Sequence, residues 1–165
     1  MLLGPYESLS FRSQVKEELK LDGYETKIME ELPEMATDSA LDEKFERIIK
    51  KYKPLLFIAF FHKEQPDMDG VIFEIGFISG HYGAINTRDK LAFLGDKGYS
   101  WENTSAYINS SLSKVRSNNY DEQREYRKAS RQIHYFVASI ENEHLQKSHN
   151  PVFDYFRRIF RLRKP

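Results

Sequence analysis

The chain alternates between short runs of consecutive apolar residues and longer stretches in which apolar residues recur every three or four positions. Continuous apolar runs are typical of strands covered on both faces, and the three-to-four spacing is typical of amphipathic helices. The strongest run spans residues 55–61, and shorter runs span residues 1–3 and 91–94. We therefore predict a parallel sheet whose central strand is residues 55–61.

Helical spacing fills the stretches between and after these runs, and Asp-Gly and proline stops set the expected ends. Residues 24–29 predict a further, weak strand. The first helix is predicted to begin at Ser8 or Ser10 and to bury Phe11, Val15, Leu19 and Leu21. The other predicted helices are one from Asp38 or Ser39 to Pro54, those over residues 70–83, 103–116 and 121–145, and one after residue 151.

This order of elements predicts an α/β fold with a doubly wound parallel sheet of four to five strands, helices on both faces and extra C-terminal helices. A length of 165 residues suits one domain with a sizeable core. Within it we expect residues 1–120 to form the α/β unit. Residues 121–165 are expected to form a C-terminal helical extension that packs on the same domain.

Composition and charge exclude several kinds of site and give no general preference for a charged partner. The chain has 25 Lys and Arg against 25 Asp and Glu, so no net field favours nucleic acid or a membrane surface. It has no Cys, which excludes a disulfide framework, a thiolate nucleophile and a Cys-based metal site. No apolar run is long enough for a membrane span, and the first residues lack the layout of a secretory signal. We expect a cytoplasmic protein.

One carboxylate stands out in the stretch DMDGVIFEIGFISGHYG, residues 67–83, where Glu74 lies alone among Val, Ile and Phe. Burying a lone carboxylate is costly, which indicates a purpose. The helix that carries it follows the central strand, and open parallel sheets bind ligands at the carboxyl ends of their strands. We predict that Glu74 is catalytic. Ionised, it could attack or stabilise a sugar carbon that develops oxocarbenium character.

Two motifs together resemble the nucleoside 2-deoxyribosyltransferase family: Gly-Pro-Tyr at residues 4–6 and DGVIFEIGF at residues 69–77. In that family a Gly-Pro-aromatic turn follows the first strand, and an Asp shortly precedes a Glu-x-Gly whose Glu attacks the anomeric carbon. Residues 71–83 are also similar to TIR-like nucleotide-binding proteins. The resemblance covers roughly residues 1–115. It implies a flavodoxin-like fold and a nucleoside, nucleotide or NAD as the ligand.

The resemblance also implies roles for individual residues. Glu74 would be the nucleophile or the oxocarbenium stabiliser, and Asp69 would recognise the base or handle a proton. Gly4, Pro5 and Tyr6 would line the substrate pocket. The implied activity is cleavage or transfer at an N-glycosidic bond without a cofactor, as in a deoxyribosyltransferase or a glycohydrolase of NAD or nucleotides.

The sequence offers two further substrate-binding candidates on the helix of Glu74. Gly76 has the small face that lets a ligand or a backbone approach closely. His81, two turns after Glu74, could act as an acid or base on the same face. The five histidines are scattered, so no metal site is predicted. Arg12 and Lys16 are interpreted as solvated helix charges, with phosphate binding as the alternative.

Two other functions stay open on the sequence. A TIR-like module could sense a nucleotide and signal through oligomerisation or its C-terminal helices, or it could cleave NAD. A scaffold domain could hold a partner through the aromatic and basic tail, residues 151–165. A homo-oligomer therefore stands among the expected partners beside the small-molecule ligand.

Overall fold

The computed structural model describes residues 1–62, 68–96, 99, 116–120 and 126–148. Short 3-10 helices span Tyr6–Ser8, Met29–Glu31 and Pro33–Ala36. The strands are β1 (Leu2–Leu3), β2 (Phe57–Phe61), β3 (Leu91–Asp96) and β4 (Arg116–Tyr120), and the helices are α1 (Leu9–Leu21), α2 (Leu41–Tyr52), α3 (Asp69–Lys90) and α4 (Tyr126–Ser148). The predicted mixed α/β fold with a parallel sheet is confirmed.

The strands run parallel and lie side by side in the order β1-β2-β3-β4. In this register Leu3 stands opposite Ala59, and Phe61 stands opposite Gly95. On the other side of β1, Leu2 forms an isolated parallel bridge with Ile28. Because all strands point the same way, their carboxyl ends meet at one edge of the sheet, which we call the carboxyl edge.

The side chains of β2 alternate between two cores, one on each face of the sheet. Phe57, Ala59 and Phe61 belong to the core that contains the apolar residues of α2 and α3. Ile58 and Phe60 belong to the core that contains those of α1 and α4. All five side chains are buried, which explains why the strand has a continuous apolar run.

Helix α4 lies within the predicted C-terminal extension and packs along α1 and against the sheet. Its apolar stripe recurs every three or four residues, as the sequence predicts. The buried members are Ala129, Ile133, Phe136, Val137 and Ile140. The final helix predicted after residue 151 lies outside the described residues.

Three sequence predictions need correction. The predicted strand at residues 24–29 is reduced to the bridge at Ile28, after which the chain turns into the 3-10 helix Met29–Glu31. Leu21 is 81% exposed, because it lies two residues beyond Leu19 and therefore on the opposite side of α1. Residues 103–115 of a predicted helix are outside the described part, and Arg116 begins β4 instead of ending that helix.

The predicted end of the helix that carries Glu74 coincides with a break in α3. Gly83 has φ 75° and ψ 154°, a backbone conformation that glycine adopts far more readily than other residues. The hydroxyl of Thr87 donates a 2.8 Å hydrogen bond to the Gly83 carbonyl and so holds the break. No helix in the described residues is long and apolar enough to cross a membrane.

Candidate functional site

The candidate site begins where β1 reaches the carboxyl edge. The strand passes directly into Gly4 and Pro5, which are both buried, and then into the short helix Tyr6–Ser8. The Pro5 carbonyl accepts hydrogen bonds from the Ser8 backbone N–H at 3.0 Å and from the Ser8 hydroxyl at 2.8 Å. These bonds fix the start of α1 against the end of β1.

Arg12 of α1 is fully buried, and its guanidinium is held on several sides. Its Nε donates to the Ser8 hydroxyl and its Nη2 to the Pro5 carbonyl, both at 2.9 Å. Nη1 and Nη2 also donate to the two carboxylate oxygens of Glu30, at 2.7 and 2.5 Å. Such a bidentate pair is among the strongest hydrogen-bonded arrangements in proteins. It ties α1 to the segment that follows Ile28.

The interpretation of Arg12 as a solvated helix charge is therefore wrong. Arg12 lies four residues after Ser8 and three before Val15, so helical spacing places it on the buried side of α1. The charge is retained in the interior because Glu30, which also follows a strand-like segment at the carboxyl edge, supplies a counter-charge. Sequence spacing pointed to the buried position of Arg12, but nothing in the sequence pointed to Glu30 as its partner.

Gly4 is required at this turn because the Arg12 side chain passes directly over it. A Cβ at this position would lie 3.0 Å from Arg12 Nε, 3.0 Å from Ser8 Oγ and 3.2 Å from Arg12 Cδ. A methyl group would have to displace a guanidinium that already makes several hydrogen bonds.

We expect Gly4→Ala to lower the free energy of unfolding by about 1–3 kcal/mol, the usual cost of overpacking a well-packed interior. Urea denaturation would measure this loss. The matched control is Gly80→Ala in α3, where a Cβ would meet nothing within 4 Å. Because alanine favours helix over glycine, the control should gain roughly 0.5–1 kcal/mol. A Gly4→Ala variant as stable as the wild type would contradict the close approach of Arg12.

Glu74 enters the site from α3, the helix that follows β2. Its Oε2 atom is buried and has no hydrogen-bond partner among the described residues. The pKa of Glu74 is raised from 4.5 to about 8, mainly because burial disfavours the charged form and in part because of the negative charge of Glu30, while the positive charge of Arg12 acts in the opposite direction. The burial of Glu74 and the charges of Glu30 and Arg12 therefore together determine whether Glu74 holds its proton.

The balance of these charges explains why the burial effect prevails. The positive charge of Arg12 is already matched by the bidentate Glu30 carboxylate, so the described residues offer an ionised Glu74 no cation of its own. With a pKa of about 8, Glu74 is about nine-tenths protonated at pH 7. At pH 7 the site thus holds a carboxylic acid, which a ligand, a nearby positive charge or a higher pH would convert to the carboxylate.

Asp69 and Tyr6, two of the predicted site residues, are exposed. Asp69 is the first residue of α3, and Tyr6 is 75% exposed in the turn after Pro5. Gly4 and Pro5 contact the Arg12 side chain, and the charges of Arg12 and Glu30 act on Glu74, whereas Asp69 and Tyr6 face solvent. In these positions they could contact only a ligand that extends outward from the edge.

Gly76 and His81, the other two candidates, lie further along α3. A Cβ on Gly76 would meet nothing within 4 Å, so space remains beside that residue. His81 is exposed, and its ring stacks on Phe77 with centroids 6.4 Å apart. Helical spacing puts His81 on the side of Glu74 but two turns away, a separation of roughly 10 Å along the axis.

A cavity of about 280 Å³ lies at the opposite, amino edge of the sheet. Residues from α1, α2, α4 and the starts of β1 and β2 line it, among them Leu19, Tyr52, Ile58 and Ile133. We place the candidate site at Glu74 instead, because the carboxyl edge gathers the buried charged groups that chemistry requires.

Comparisons of the chain with protein-family models, with curated proteins and with solved structures found no match. In the described part of the chain, no group of three or more His, Asp or Glu side chains could hold a metal ion.

Proposed function

We propose that the protein binds a nucleoside or nucleotide at the carboxyl edge of its sheet and cleaves or transfers at the N-glycosidic bond through Glu74. The observation that carries this proposal is the buried Oε2 of Glu74, for which the described part of the chain supplies no hydrogen-bond partner and whose neighbouring charges, Arg12 and Glu30, are already paired with each other. A buried polar atom without a partner is rare in proteins and marks a place where a ligand can supply one.

The strand order supports a flavodoxin-like arrangement for the proposed domain. Ile28 lies beside β1 on one side and β2 lies on the other, so the spatial order is segment 28, β1, β2, β3, β4. The chain reverses its direction of travel across the sheet between β1 and β2. Open α/β sheets bind ligands at the carboxyl ends of strands at such a switch point. Pro5 after β1 and Glu74 after β2 flank it.

In the proposed reaction an oxygen of ionised Glu74 attacks the anomeric carbon of the sugar. The bond between that carbon and the base nitrogen breaks, and its electron pair leaves with the base, which takes up a proton. Water or a second base then displaces Glu74 from the sugar and restores the carboxylate. In the free site Glu74 is mainly protonated. The positive charge that develops on the sugar in the transition state favours the ionised form of Glu74 instead.

A non-catalytic nucleotide-sensing module is the second candidate. The raised pKa of Glu74 favours it, because a protonated carboxyl group can donate a hydrogen bond to a base without attacking the sugar. This module would bind the same ligands and release no base. The predicted homo-oligomer and cytoplasmic location remain predictions under both functions.

The experiment that tests the proposed function follows release of free base from NAD and from a panel of nucleosides, deoxynucleosides and nucleotides. We expect the wild type to release base from at least one substrate and Glu74→Gln to lose this activity by a factor of a thousand or more, the order seen when a group that acts on the transition state is removed. Glu17→Gln is the control, since it makes the same chemical change at a 66% exposed position of α1.

Two outcomes would contradict the proposal. One is the absence of base release from every substrate, and the other is equal release by the wild type and Glu74→Gln. Binding of a nucleotide without release of base would instead support the sensing module.

A further inference from the structure

A second pair of titratable side chains lies at the carboxyl edge, outside the Arg12–Glu30–Glu74 group. Phe61 stands opposite Gly95 in the parallel register, so the next residues along the two strands, His62 and Asp96, are neighbours. Nδ1 of His62 lies 4.0 Å from Oδ2 of Asp96, and the side chains are only 4% and 16% exposed. A histidine beside a carboxylate, shielded from bulk water, is the arrangement that proton transfer uses.

Both members of this pair stand on rigid strand ends. The Asp96 carbonyl accepts hydrogen bonds from the Tyr99 backbone N–H at 3.0 Å and from Asn119 Nδ2 at 3.2 Å, which fixes the end of β3. Phe61, which directly precedes His62, packs its ring against Tyr99 with centroids 5.4 Å apart. The backbone at both residues is therefore held by the sheet and its aromatic core, which places the two side chains next to each other at the carboxyl edge.

The register also brings this pair close to the candidate site. Leu3 stands opposite Ala59 in the last pair of β1 and β2, so the chain leaves both strands at the same edge of the sheet. His62 follows β2 there, and the Pro5 turn, whose carbonyl binds Arg12, follows the neighbouring strand. A substrate at the switch point between β1 and β2 would thus lie at the edge that carries both His62 and Glu74.

We propose, building on the proposed function, that His62 donates the proton that the leaving base needs and that Asp96 positions the His62 imidazole. A nucleoside base is a poor leaving group until one of its ring nitrogens gains a proton. Glu74 is committed to the sugar carbon in the proposed reaction, so a second group has to supply that proton. The family resemblance gives Asp69 either base recognition or proton handling, but Asp69 is exposed, whereas His62 is buried at the edge with a carboxylate beside it.

In the proposed step the sugar carbon passes from the base to Glu74, and one proton passes from His62 to the base. An oxygen of Glu74 forms a bond to the anomeric carbon while the bond from that carbon to the base nitrogen breaks and its electrons pass to the base. The imidazolium of His62 transfers its proton to a ring nitrogen of the base, which leaves neutral. The water or acceptor base that later attacks the anomeric carbon returns a proton to His62 and releases Glu74.

The test compares two leaving groups on one sugar. The first is adenine, from adenosine or 2′-deoxyadenosine, which needs a proton to leave. The second is p-nitrophenolate from the p-nitrophenyl glycoside of the same sugar, which needs none. We expect His62→Gln to slow adenine release by about 10²–10⁴-fold, the range of a lost general acid. The first-turnover rate of p-nitrophenolate release, which precedes the step in which water returns a proton to His62, should change by less than about threefold. Asp96→Asn should show the same pattern with a smaller loss.

The ratio of the two rates within one variant does not depend on how much of that variant folds, so a partly folded His62→Gln still gives an answer. His134→Asn is the matched control, since it removes an exposed histidine of α4 that contacts Tyr24. It should leave both rates unchanged. Glu74→Gln, in contrast, should lose both reactions.

Two kinds of failure can be told apart. If the wild type releases neither leaving group, both the proposed function and the role of His62 are overturned. If the wild type and Glu74→Gln behave as expected but His62→Gln slows both leaving groups equally, or neither, only the role of His62 is overturned. The role of His62 alone is also overturned if Asp69→Asn, and not His62→Gln, slows adenine release without slowing p-nitrophenolate release. A wild type that cleaves the nitrophenyl glycoside but releases no adenine would overturn it as well.

Discussion

Replacing Glu74 by glutamine is expected to abolish base release and, at the same time, to stabilise the protein at alkaline pH. The pKa of Glu74 is raised above its unfolded value of 4.5 to about 8, so the folded state holds its proton more tightly than the unfolded chain. The stability contributed by neutral Glu74 is fully present below pH 4.5 and is lost as the pH rises through 8. Glutamine keeps the shape and cannot ionise.

The size of this effect follows from the shift in pKa. Between pH 4.5 and about 8 the wild type should lose about 1.4 kcal/mol of stability per pH unit through Glu74, on the order of 5 kcal/mol in all. Guanidinium unfolding of the wild type and Glu74→Gln at several pH values would measure the difference. Glu17→Gln, at its exposed site, should give a curve parallel to the wild type. A constant difference between wild type and Glu74→Gln from pH 5 to pH 9 would contradict the buried neutral acid.

The second large effect is expected from Arg12→Met, which removes the cation at the centre of the site. Glu30 would lose its bidentate partner, and the Ser8 hydroxyl and the Pro5 carbonyl would each lose a hydrogen bond. Breaking a buried ion pair by removing one partner costs about 3–5 kcal/mol, a large share of the stability of a domain of this size. Urea unfolding at pH 6 would measure the loss.

Arg127→Met provides the control for this loss, because Arg127 also pairs with a glutamate, Glu18, at 3.5 Å but is 70% exposed. An exposed pair contributes at most about 1 kcal/mol. The double variant Arg12→Met/Glu30→Gln should lose less than the sum of its two single variants, since it leaves neither charge alone. Equal losses for Arg12→Met and Arg127→Met would show that the buried pair has no special role.

Much of the fold can be predicted from the sequence because its strongest signals are local. The continuous apolar run before residue 62 marks β2, and spacing of three or four residues marks α1, α2 and α4. The short strand stub at residues 1–3 is confirmed as β1. The weak segment at residues 24–29 and the sequence RSNNY of β4 carry little hydrophobic pattern, so pairing with a neighbouring strand decides their structure.

The candidate site is only partly predictable for a related reason. Glu74 stands out because a lone carboxylate in an apolar stretch violates the hydrophobic pattern. Arg12 violates the same pattern on the buried side of α1, yet its long side chain is easily interpreted as reaching solvent. Glu30 acquires its partner Arg12, and Asp96 its neighbour His62, only when separate elements of the fold meet at the carboxyl edge. Because the partners are far apart in sequence, no regular spacing in a single sequence predicts these contacts.

One measurement tests the role of Glu74 most directly: its carboxyl titration by carbon-13 NMR beside kcat/KM, across pH 5 to 10, for release of p-nitrophenolate from the p-nitrophenyl glycoside, a leaving group that needs no proton from His62. We expect one common midpoint near pH 8, with the ionised form active, so that kcat/KM rises with pH and levels off above the midpoint. A carboxyl midpoint near 4.5, or a kcat/KM that does not change with pH as Glu74 titrates, would contradict the assignment of this residue as the group that attacks or stabilises the sugar.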